Sequence, residues 1–420
     1  MVWVAYSGAQ IGTGANFPAT LADGSYTITA SVVGSDGKTA SDSVDITVGT
    51  PAPPPSVQTV PLGVQRIGAA PSDDLTVDGT GVSVAIIGTG IDSGHGDLNV
   101  ASDCFTFYSS GEDDYGHGTH VAGIVAALDN SLGVVGVAPG ATVVSVKVLG
   151  SDGSGTDEAV IAGLQWVLNN ITNPSDPSRA PIRVANMSLG RPASSTDGPM
   201  EAAVNAVVAA GGTVVTSAGN PSSVEISNQV PAGFEQVLAV ASTTAADGVG
   251  PTKGRCSGLS IPADSASVFT TDFTTDGGGV VISAPGEDQE NVNKDCFISS
   301  VGIESTQMGG GTTRMAGKSM SAPHVAGVVA LLSDQANTGL DPTAVAGWIA
   351  SGADLAGTVP LDLPISSYSF DGTREGVLSA QGALNAMAGP FFFERRLQRP
   401  LPRNPHTSGI TFRGWPRLFD

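Results

Sequence analysis

Short apolar runs alternate with helical stretches along most of this chain, and this alternation restricts the possible folds more than any other feature of the sequence. Five runs have the composition of parallel strands buried on both faces: Val82–Ile87, Thr142–Val148, Val184–Met187, Thr213–Ser217 and Val237–Ala241. Helical stretches between them include Asp157–Asn169 and Gly198–Ala210. Because strands that alternate with helices pair in parallel, we predict an α/β fold with a doubly wound, mostly parallel sheet flanked by helices.

The chain has 420 residues, which is enough for one large α/β domain and smaller units. Period-two alternation at Tyr26–Val32 and Ser43–Val48 predicts two strands. Residues 1–49 therefore resemble part of an immunoglobulin-like or fibronectin-like β module, a small β-sandwich-like fragment. We predict a Pro-rich linker over residues 50–56, the main domain over 57–389 and an Arg/Pro-rich disordered tail over 390–420.

The charge balance excludes some partners. The formal net charge is −21, from 39 acidic and 18 basic residues, which argues against nucleic acid or an anionic membrane as a partner. No stretch is long and apolar enough to span a bilayer. The first residues lack the basic and apolar regions of a signal peptide, so we expect none in this chain.

The three cysteines, Cys104, Cys256 and Cys296, have no spacing typical of a metal site. A bridge between Cys256 and Cys296 and a set of free buried thiols are both compatible with the sequence.

Two polar residues framed by glycines stand at the start of apolar helical runs. His117 lies in Gly116–Gly123, and Ser319 lies in Gly317–Gly327. Serine hydrolysis needs an exposed hydroxyl, a base within reach of it and donors for the oxyanion. A helix start supplies free N–H groups and positive potential for that oxyanion. Either residue alone would more often be structural, and serine is a common helix cap.

Together these segments resemble the His and Ser boxes of the subtilisin-like serine proteases, in that family's order. The resemblance covers residues 57–389 and implies a subtilisin-like sheet. It implies Ser319 as nucleophile, His117 as general base and Asn220 as oxyanion donor. Gly88, the segment Asn186–Gly190 and Asn220 lie at or just past the ends of predicted strands, where ligands bind in such folds.

Gly88 stands where the family carries the aspartate of its catalytic triad. Without a carboxylate, the tautomer of His117 is not fixed and its imidazolium is not stabilised. Asp92 is the nearest acid in sequence, and we do not expect it to substitute. We predict impaired serine endopeptidase activity, and the alternative is an inactive pseudoprotease that binds peptides. Lys318, where the family usually has threonine, could aid the oxyanion or lower the basicity of His117.

The resemblance also implies the segments that bind substrate through their backbone. They comprise the strand-like Gly153, Ser154 and Gly155, the pocket-lining Ser188, Leu189 and Gly190, and the pair Ala218 and Gly219.

We expect polypeptide substrates, a monomer and an extracellular location. His120 and His324 match residues that the family keeps within helices. No metal ligand is predicted among the site residues, no cofactor is certain, and structural calcium is possible.

Overall fold

The computed structural model describes residues 2–4, 10–13, 24–33, 39–48, 58–219, 226–244, 257, 282–287, 291–292, 298–299, 302–355 and 376–389. Asn220, Cys256 and Cys296 lie outside the described residues. So do the predicted linker over residues 50–56 and the predicted tail over 390–420.

Four strands near the start of the chain form an antiparallel sheet in the order β2-β1-β3-β4. They are β1 (Val2–Val4), β2 (Gln10–Thr13), β3 (Gly24–Val33) and β4 (Thr39–Val48). The long β3–β4 pair runs from Gly24 opposite Val48 to Val33 opposite Thr39. The two strands predicted by period-two alternation are therefore present, and the assignment of this segment to a sandwich module stays a prediction.

The remaining strands are β5 (Ser83–Gly88), β6 (Phe105–Thr106), β7 (Thr142–Lys147), β8 (Ile182–Met187), β9 (Arg191–Pro192), β10 (Thr213–Ser217), β11 (Gln229–Val230), β12 (Leu238–Thr244), β13 (Ile282–Glu287), β14 (Asn291–Val292), β15 (Ile298–Ser299), β16 (Ile303–Thr306) and β17 (Thr312–Met315). The helices are α1 (Leu62–Arg66), α2 (His117–Ala126), α3 (Asp157–Thr172), α4 (Gly198–Ala209), α5 (Lys318–Ala336), α6 (Pro342–Gly352) and α7 (Ala380–Ala388).

Seven strands form the central sheet, in the order β13-β12-β10-β8-β5-β7-β6, and every neighbouring pair is parallel. The chain builds outward from β5 first toward β7 and then, on the other side, toward β8 and beyond. This reversal of direction makes the sheet doubly wound and creates a crevice at its carboxyl edge. The predicted α/β fold class is confirmed.

The core lies on both faces of this sheet, because successive side chains of a strand point to opposite sides. In β5, Val84 and Ile86 pack in the apolar cluster that includes residues of α2 and α5. Ala85 and Ile87 pack in the second cluster, with residues of α3 and α4. A strand covered on both faces has no polar alternation, which is why β5 reads as a continuous apolar run.

Helix α5 lies deep in the molecule, and it packs closely against α2. Gly327 permits the close approach of α5 to Val137, which follows α2, because a Cβ on it would lie 2.5 Å from Cβ of Val137. The same Cβ would be in ordinary contact, at 3.4 Å, with the carbonyl oxygen of Val125 in α2. Gly327 is eight residues past Ser319 and Val125 is eight residues past His117, so this contact lies equally far along each helix from the two residues. None of the helices in the described ranges is long and apolar enough to cross a membrane.

Candidate active site

The site lies at the carboxyl edge of the sheet, where three neighbouring strands end. Strand β5 ends at Gly88, β8 at Met187 and β10 at Ser217. The segments that follow these strands meet at one edge because the strands are parallel. Helices α2 and α5 begin at His117 and Lys318, so the sheet and the two helices bring the predicted residues into one region.

A buried carboxylate, Asp113, fixes the start of α2. Its Oδ1 accepts hydrogen bonds from Oγ1 of Thr89 (2.9 Å) and from the backbone N–H groups of Tyr115 (3.1 Å) and Gly116 (2.8 Å). Its Oδ2 accepts from N and Oγ1 of Thr119, at 2.8 and 2.6 Å. Asp113 thereby satisfies N–H groups at the start of the helix and places a negative charge near the positive end of the helix dipole.

The first turn of α2 also touches the segment that follows β5. The Gly118 N–H donates to Oγ1 of Thr89 at 2.8 Å, and a Cβ on Gly118 would overlap the carbonyl oxygen of Gly90. Gly116, before the helix, has a φ of +98°, a conformation that favours glycine. The glycines around His117 thus have local geometric reasons, and they hold the histidine beside the end of β5.

His117 is half-buried, and burial lowers the pKa of its imidazole below the ordinary value of 6.5, an effect that the charge of Asp113 partly opposes. Within the described part of the chain, no hydrogen bond to the ring of His117 is recorded. The imidazole is therefore uncharged at neutral pH, as a general base must be, and no described side chain fixes its tautomer.

Gly88 is buried at the end of β5, opposite Lys147 in the register of the sheet. Its carbonyl oxygen accepts from the N–H groups of Val148 (2.9 Å) and Leu149 (3.0 Å). A Cβ added at Gly88 would have no heavy atom of another described residue within 4 Å, apart from its chain neighbours. Position 88 consequently has room for a side chain.

Asp92 does not fill that room, in agreement with the expectation from the sequence. Its Oδ1 accepts from the N–H of Gly94 at 3.1 Å, and its Oδ2 accepts from the N–H of Gly309 at 2.8 Å. The Asp92 side chain therefore links the segment after β5 to the turn between β16 and β17.

Ser319 is the second residue of α5 and is half-buried. Its Oγ donates a long hydrogen bond, 3.4 Å, to the carbonyl oxygen of Ser188. The Ser188 hydroxyl donates in return to the Ser319 carbonyl at 2.8 Å, and the side-chain amide of Asn186 donates to that hydroxyl at 3.0 Å. Gly317, with a φ of +138°, makes the bend before the helix. These hydrogen bonds hold Ser319 against Ser188, the residue that follows β8.

Lys318 is completely buried, and its ammonium donates to the carbonyl oxygen of Gly219, just past β10. The side chain therefore joins the start of α5 to one of the predicted substrate segments. Asn220, the predicted oxyanion donor, is the next residue along the chain and lies outside the described residues.

The predicted substrate segments have different local structures. Gly153–Gly155 belongs to a turn and the irregular segment before α3, where the Gly150 N–H donates to the Ser154 carbonyl at 2.8 Å. Ser188–Gly190 follows β8, and its residues become more exposed from Ser188 to Gly190. Ala218 follows β10, and its N–H donates to the carbonyl oxygen of Val240 at 3.0 Å. These predicted residues thus flank the carboxyl edge of the sheet.

Two exposed aromatic side chains next to Gly153–Gly155 were not identified from the sequence. The Tyr108 hydroxyl donates to the carbonyl of Ser154 at 3.3 Å, and the ring of Tyr115 lies 2.9 Å from the Cβ position of Gly153.

Asp113 was also not identified from the sequence, although an acid shortly before a helix start is a recognised signal.

The other two histidines of these helices make structural contacts, as expected. A ring nitrogen of His120 lies 3.0 Å from the carbonyl oxygen of Ile303, and one of His324 lies 2.8 Å from that of Met320. Burial lowers the pKa of each to about 4, so both are neutral.

A second polar cluster surrounds Asp97, whose Oδ1 is buried without a hydrogen-bond partner and whose pKa burial raises to about 6. The side-chain amide of Gln58 contacts the carbonyl oxygens of Leu128 and Val134, the latter at 3.0 Å. The side chain of Asn130 also reaches Asp97. Carboxylate, amide and peptide oxygens are the ligands that Ca²⁺ takes. Asp97 and the two carbonyls supply such oxygens, and Gln58, whose Nε2 now faces the carbonyls, would supply a further one if its amide turned.

No group of three or more His, Cys, Asp or Glu side chains in the described ranges is arranged to hold a metal ion.

Cys104 is an exposed residue with a free thiol. Partial desolvation of the thiol, together with the negative charges of Asp103 and Glu112, raises its pKa.

Comparisons with known proteins agree with this geometry. The model of the subtilase family, peptidase S8, matches residues 79–383. Alkaline elastase YaB from Bacillus sp. (strain YaB) is 37% identical over 284 residues, which cover 67% of this chain and 61% of the relative. Subtilisin BL from Lederbergia lenta is 36% identical over 280 residues, 66% of this chain and 86% of the relative. This chain therefore spans less than two thirds of alkaline elastase YaB.

A solved structure, that of a cold adapted subtilisin-like serine proteinase, is similar with a TM-score of 0.56 and 29% sequence identity. The similarity covers 76% of this chain and 97% of that chain.

Proposed function

The chain belongs to the subtilase family, and on that premise we propose that it is a serine endopeptidase with Ser319 as nucleophile, His117 as general base and Asn220 as oxyanion donor. The observation that carries the proposal is the side-by-side packing of α2 and α5. The contact between Gly327 and Val125 lies eight residues into each helix from His117 and Ser319. Equal offsets along adjacent helices support a base and a hydroxyl at one level of the site.

The proposed reaction proceeds through an acyl-enzyme. The Ser319 hydroxyl oxygen attacks the peptide carbonyl carbon while its proton passes to His117, which then gives it to the leaving amine. The start of α5 and the amide of Asn220 donate to the oxyanion. Water then attacks the ester, with His117 again as base, and releases the second product. The lowered pKa of His117 supports its role as base, because the neutral ring is the form that accepts a proton.

Gly88 is proposed to occupy the position of the missing triad aspartate, so that the activity is impaired rather than absent. Removal of the aspartate alone costs subtilisin roughly 3 × 10⁴ in kcat and leaves measurable catalysis over water. The same physical loss is expected here, because the described residues supply no acceptor for the ring N–H of His117.

Substrates are proposed to be extended polypeptides held through backbone. The segments Gly153–Gly155 and Ser188–Gly190, with Ala218 and Gly219, would pair with a peptide by strand addition. We further propose an extracellular monomer in which Asp97, Gln58 and neighbouring carbonyl oxygens hold a structural calcium ion.

A second candidate function is a pseudoprotease that binds peptides without turnover, and Gly88 is the observation that favours it. It predicts peptide affinity with no reactive serine. The endopeptidase hypothesis predicts that Ser319 reacts with electrophiles, although slowly.

A sulfonyl fluoride that esterifies activated serines, read out by intact mass, distinguishes the two. The endopeptidase hypothesis predicts slow labelling of the parent, faster labelling of Gly88→Asp, and none of Ser319→Ala. Ser321→Ala, two residues away, should label as the parent does. A folded Gly88→Asp protein that stays unlabelled would favour the pseudoprotease.

A further inference from the structure

The structure leaves room for a side chain at position 88, beside the start of α2. Gly88 is buried, and a Cβ added to it meets no other described heavy atom within 4 Å except its chain neighbours. Cores of folded proteins are usually filled to crystal-like density. A buried position with room for a side chain can hold a group of a few atoms, such as a small planar anion.

The acids nearest to this space are engaged elsewhere. Asp113 accepts five hydrogen bonds, two of its donors being on Thr119 and one on Thr89. Asp92 joins the backbones of Gly94 and Gly309. Neither carboxylate bonds to the His117 ring, so the ring N–H has no acceptor among the described residues.

A buried cation favours a negative charge next to Gly88. Lys147 pairs with Gly88 in the sheet, and 1% of its surface is exposed. Its ammonium donates to the carbonyl oxygen of Thr89 at 2.5 Å and forms an ion pair with Asp114 at 2.5 Å. The side chain of Asp114 is 51% exposed and that of Lys147 only 1%, so water screens the carboxylate more than the ammonium and the pair leaves a positive potential on its buried side.

We infer that a small monocarboxylate, of the size of formate or acetate, binds beside Gly88 and accepts the hydrogen bond from the His117 ring that an aspartate would accept. This inference rests on the proposed function. The bound anion forms no covalent bond. The proton of Ser319 still passes to His117 and on to the leaving amine, while the anion fixes the tautomer of the ring and balances the charge of the imidazolium.

The test measures kcat/KM of the full chain on an uncharged chromogenic peptide, with sodium formate replacing sodium chloride at constant ionic strength. We expect a saturable increase of about tenfold to 10³-fold, below the roughly 3 × 10⁴ that a tethered carboxylate contributes. Benzoate, which is too large for the space, should have no effect.

Two variants at the same position are the controls. Gly88→Asp fills the space with a carboxylate, so it should be fast and insensitive to formate. Gly88→Asn fills the space without a charge, so it should be slow and also insensitive. Stimulation of Gly88→Asn equal to that of the parent would show that formate acts elsewhere and would overturn the inference.

The outcomes separate the inference from the proposed function. If Gly88→Asp is active and formate leaves the parent unchanged, the anion site is wrong and the endopeptidase assignment stands. If Gly88→Asp folds and is inactive, the proposed function fails and the inference with it.

A second readout does not depend on turnover. In the inactive Ser319→Ala chain, formate should produce a downfield imidazole N–H signal from His117 in proton NMR. The same signal should not appear when Gly88→Asn is added. Its absence from Ser319→Ala at saturating formate would contradict binding beside the ring.

Discussion

At the scale of single residues, the charge state of His117 and the anchoring of its helix have separate causes. Burial keeps the imidazole neutral, and Asp113 holds the first turn of α2. The glycine-framed His and Ser segments could be recognised from their own residues, although the close contacts that require Gly118 and Gly327 are made with Gly90 and Val137, which are distant in sequence. The partners of Asp113 and Lys318 could not, since Thr89 and Gly219 are distant in sequence and meet them only in the fold.

The acidic limb of the pH–rate profile is expected to depend on position 88. The proposed catalysis requires neutral His117, and its lowered pKa keeps that form present below the ordinary value of 6.5. In Gly88→Asp, the new carboxylate favours the imidazolium and raises the pKa, so the decline of kcat/KM on acidification should begin at a higher pH. A parent profile that declines at the same pH as Gly88→Asp, or at a higher one, would contradict this account.

Asp113→Asn should destabilise the chain by about 3 kcal/mol, because an amide nitrogen would face N–H and O–H donors that now bond to a carboxylate. Urea unfolding measures the change. The control is Asp129→Asn at an exposed site, which should stay within about 0.5 kcal/mol of the parent. Equal stability of the two variants would refute the anchoring role of Asp113.

At the scale of elements, strands and helices were predictable where burial imposes a pattern, and their ends were less so. The prediction placed a helix at Asp157–Asn169, and α3 continues to Thr172 because Ile171 is still buried in the core. Its start was accurate, since Thr156 caps it by accepting from the Ala159 N–H at 3.3 Å. The placement of α5 against the segment after α2 could not be derived, because Gly327 and Val137 are far apart in sequence.

Gly327→Ala should lower stability by about 1–3 kcal/mol, since the new Cβ would lie 2.5 Å from Cβ of Val137. It should also lower the rate of Ser319 labelling, because it shifts α5 relative to α2. Gly347→Ala in α6 is the matched control. Its Cβ meets nothing within 4 Å, so it should gain about 0.5–1 kcal/mol of helix stability. Thermal unfolding of both variants checks the opposite signs.

At the scale of the whole molecule, the doubly wound sheet was predictable from alternation alone. The convergence of Gln58, Asp97 and residues 128–134 was not, because it joins backbone carbonyls whose positions no residue type reveals. The anionic sequence, with a net charge of −21, did not by itself indicate where a cation binds.

Calcium should stabilise the chain through the cluster around Asp97. Calcium at 100 times its Kd would add about 2.7 kcal/mol to the free energy of unfolding, and a chelator would remove that gain. In Asp97→Asn the effect of calcium on Tm should be much smaller, whereas Glu235→Gln, at an exposed site outside this cluster, should respond as the parent does. An undiminished calcium effect in Asp97→Asn would place the ion elsewhere.

We propose a serine protease site that is complete except at position 88. It is tested most directly by kcat/KM on a chromogenic peptide for the parent, Gly88→Asp and Ser319→Ala. The account predicts a trace of cleavage by the parent, none by Ser319→Ala, and an increase of up to roughly 10⁴-fold in Gly88→Asp. A Gly88→Asp protein that folds as the parent does but cleaves no faster would contradict it.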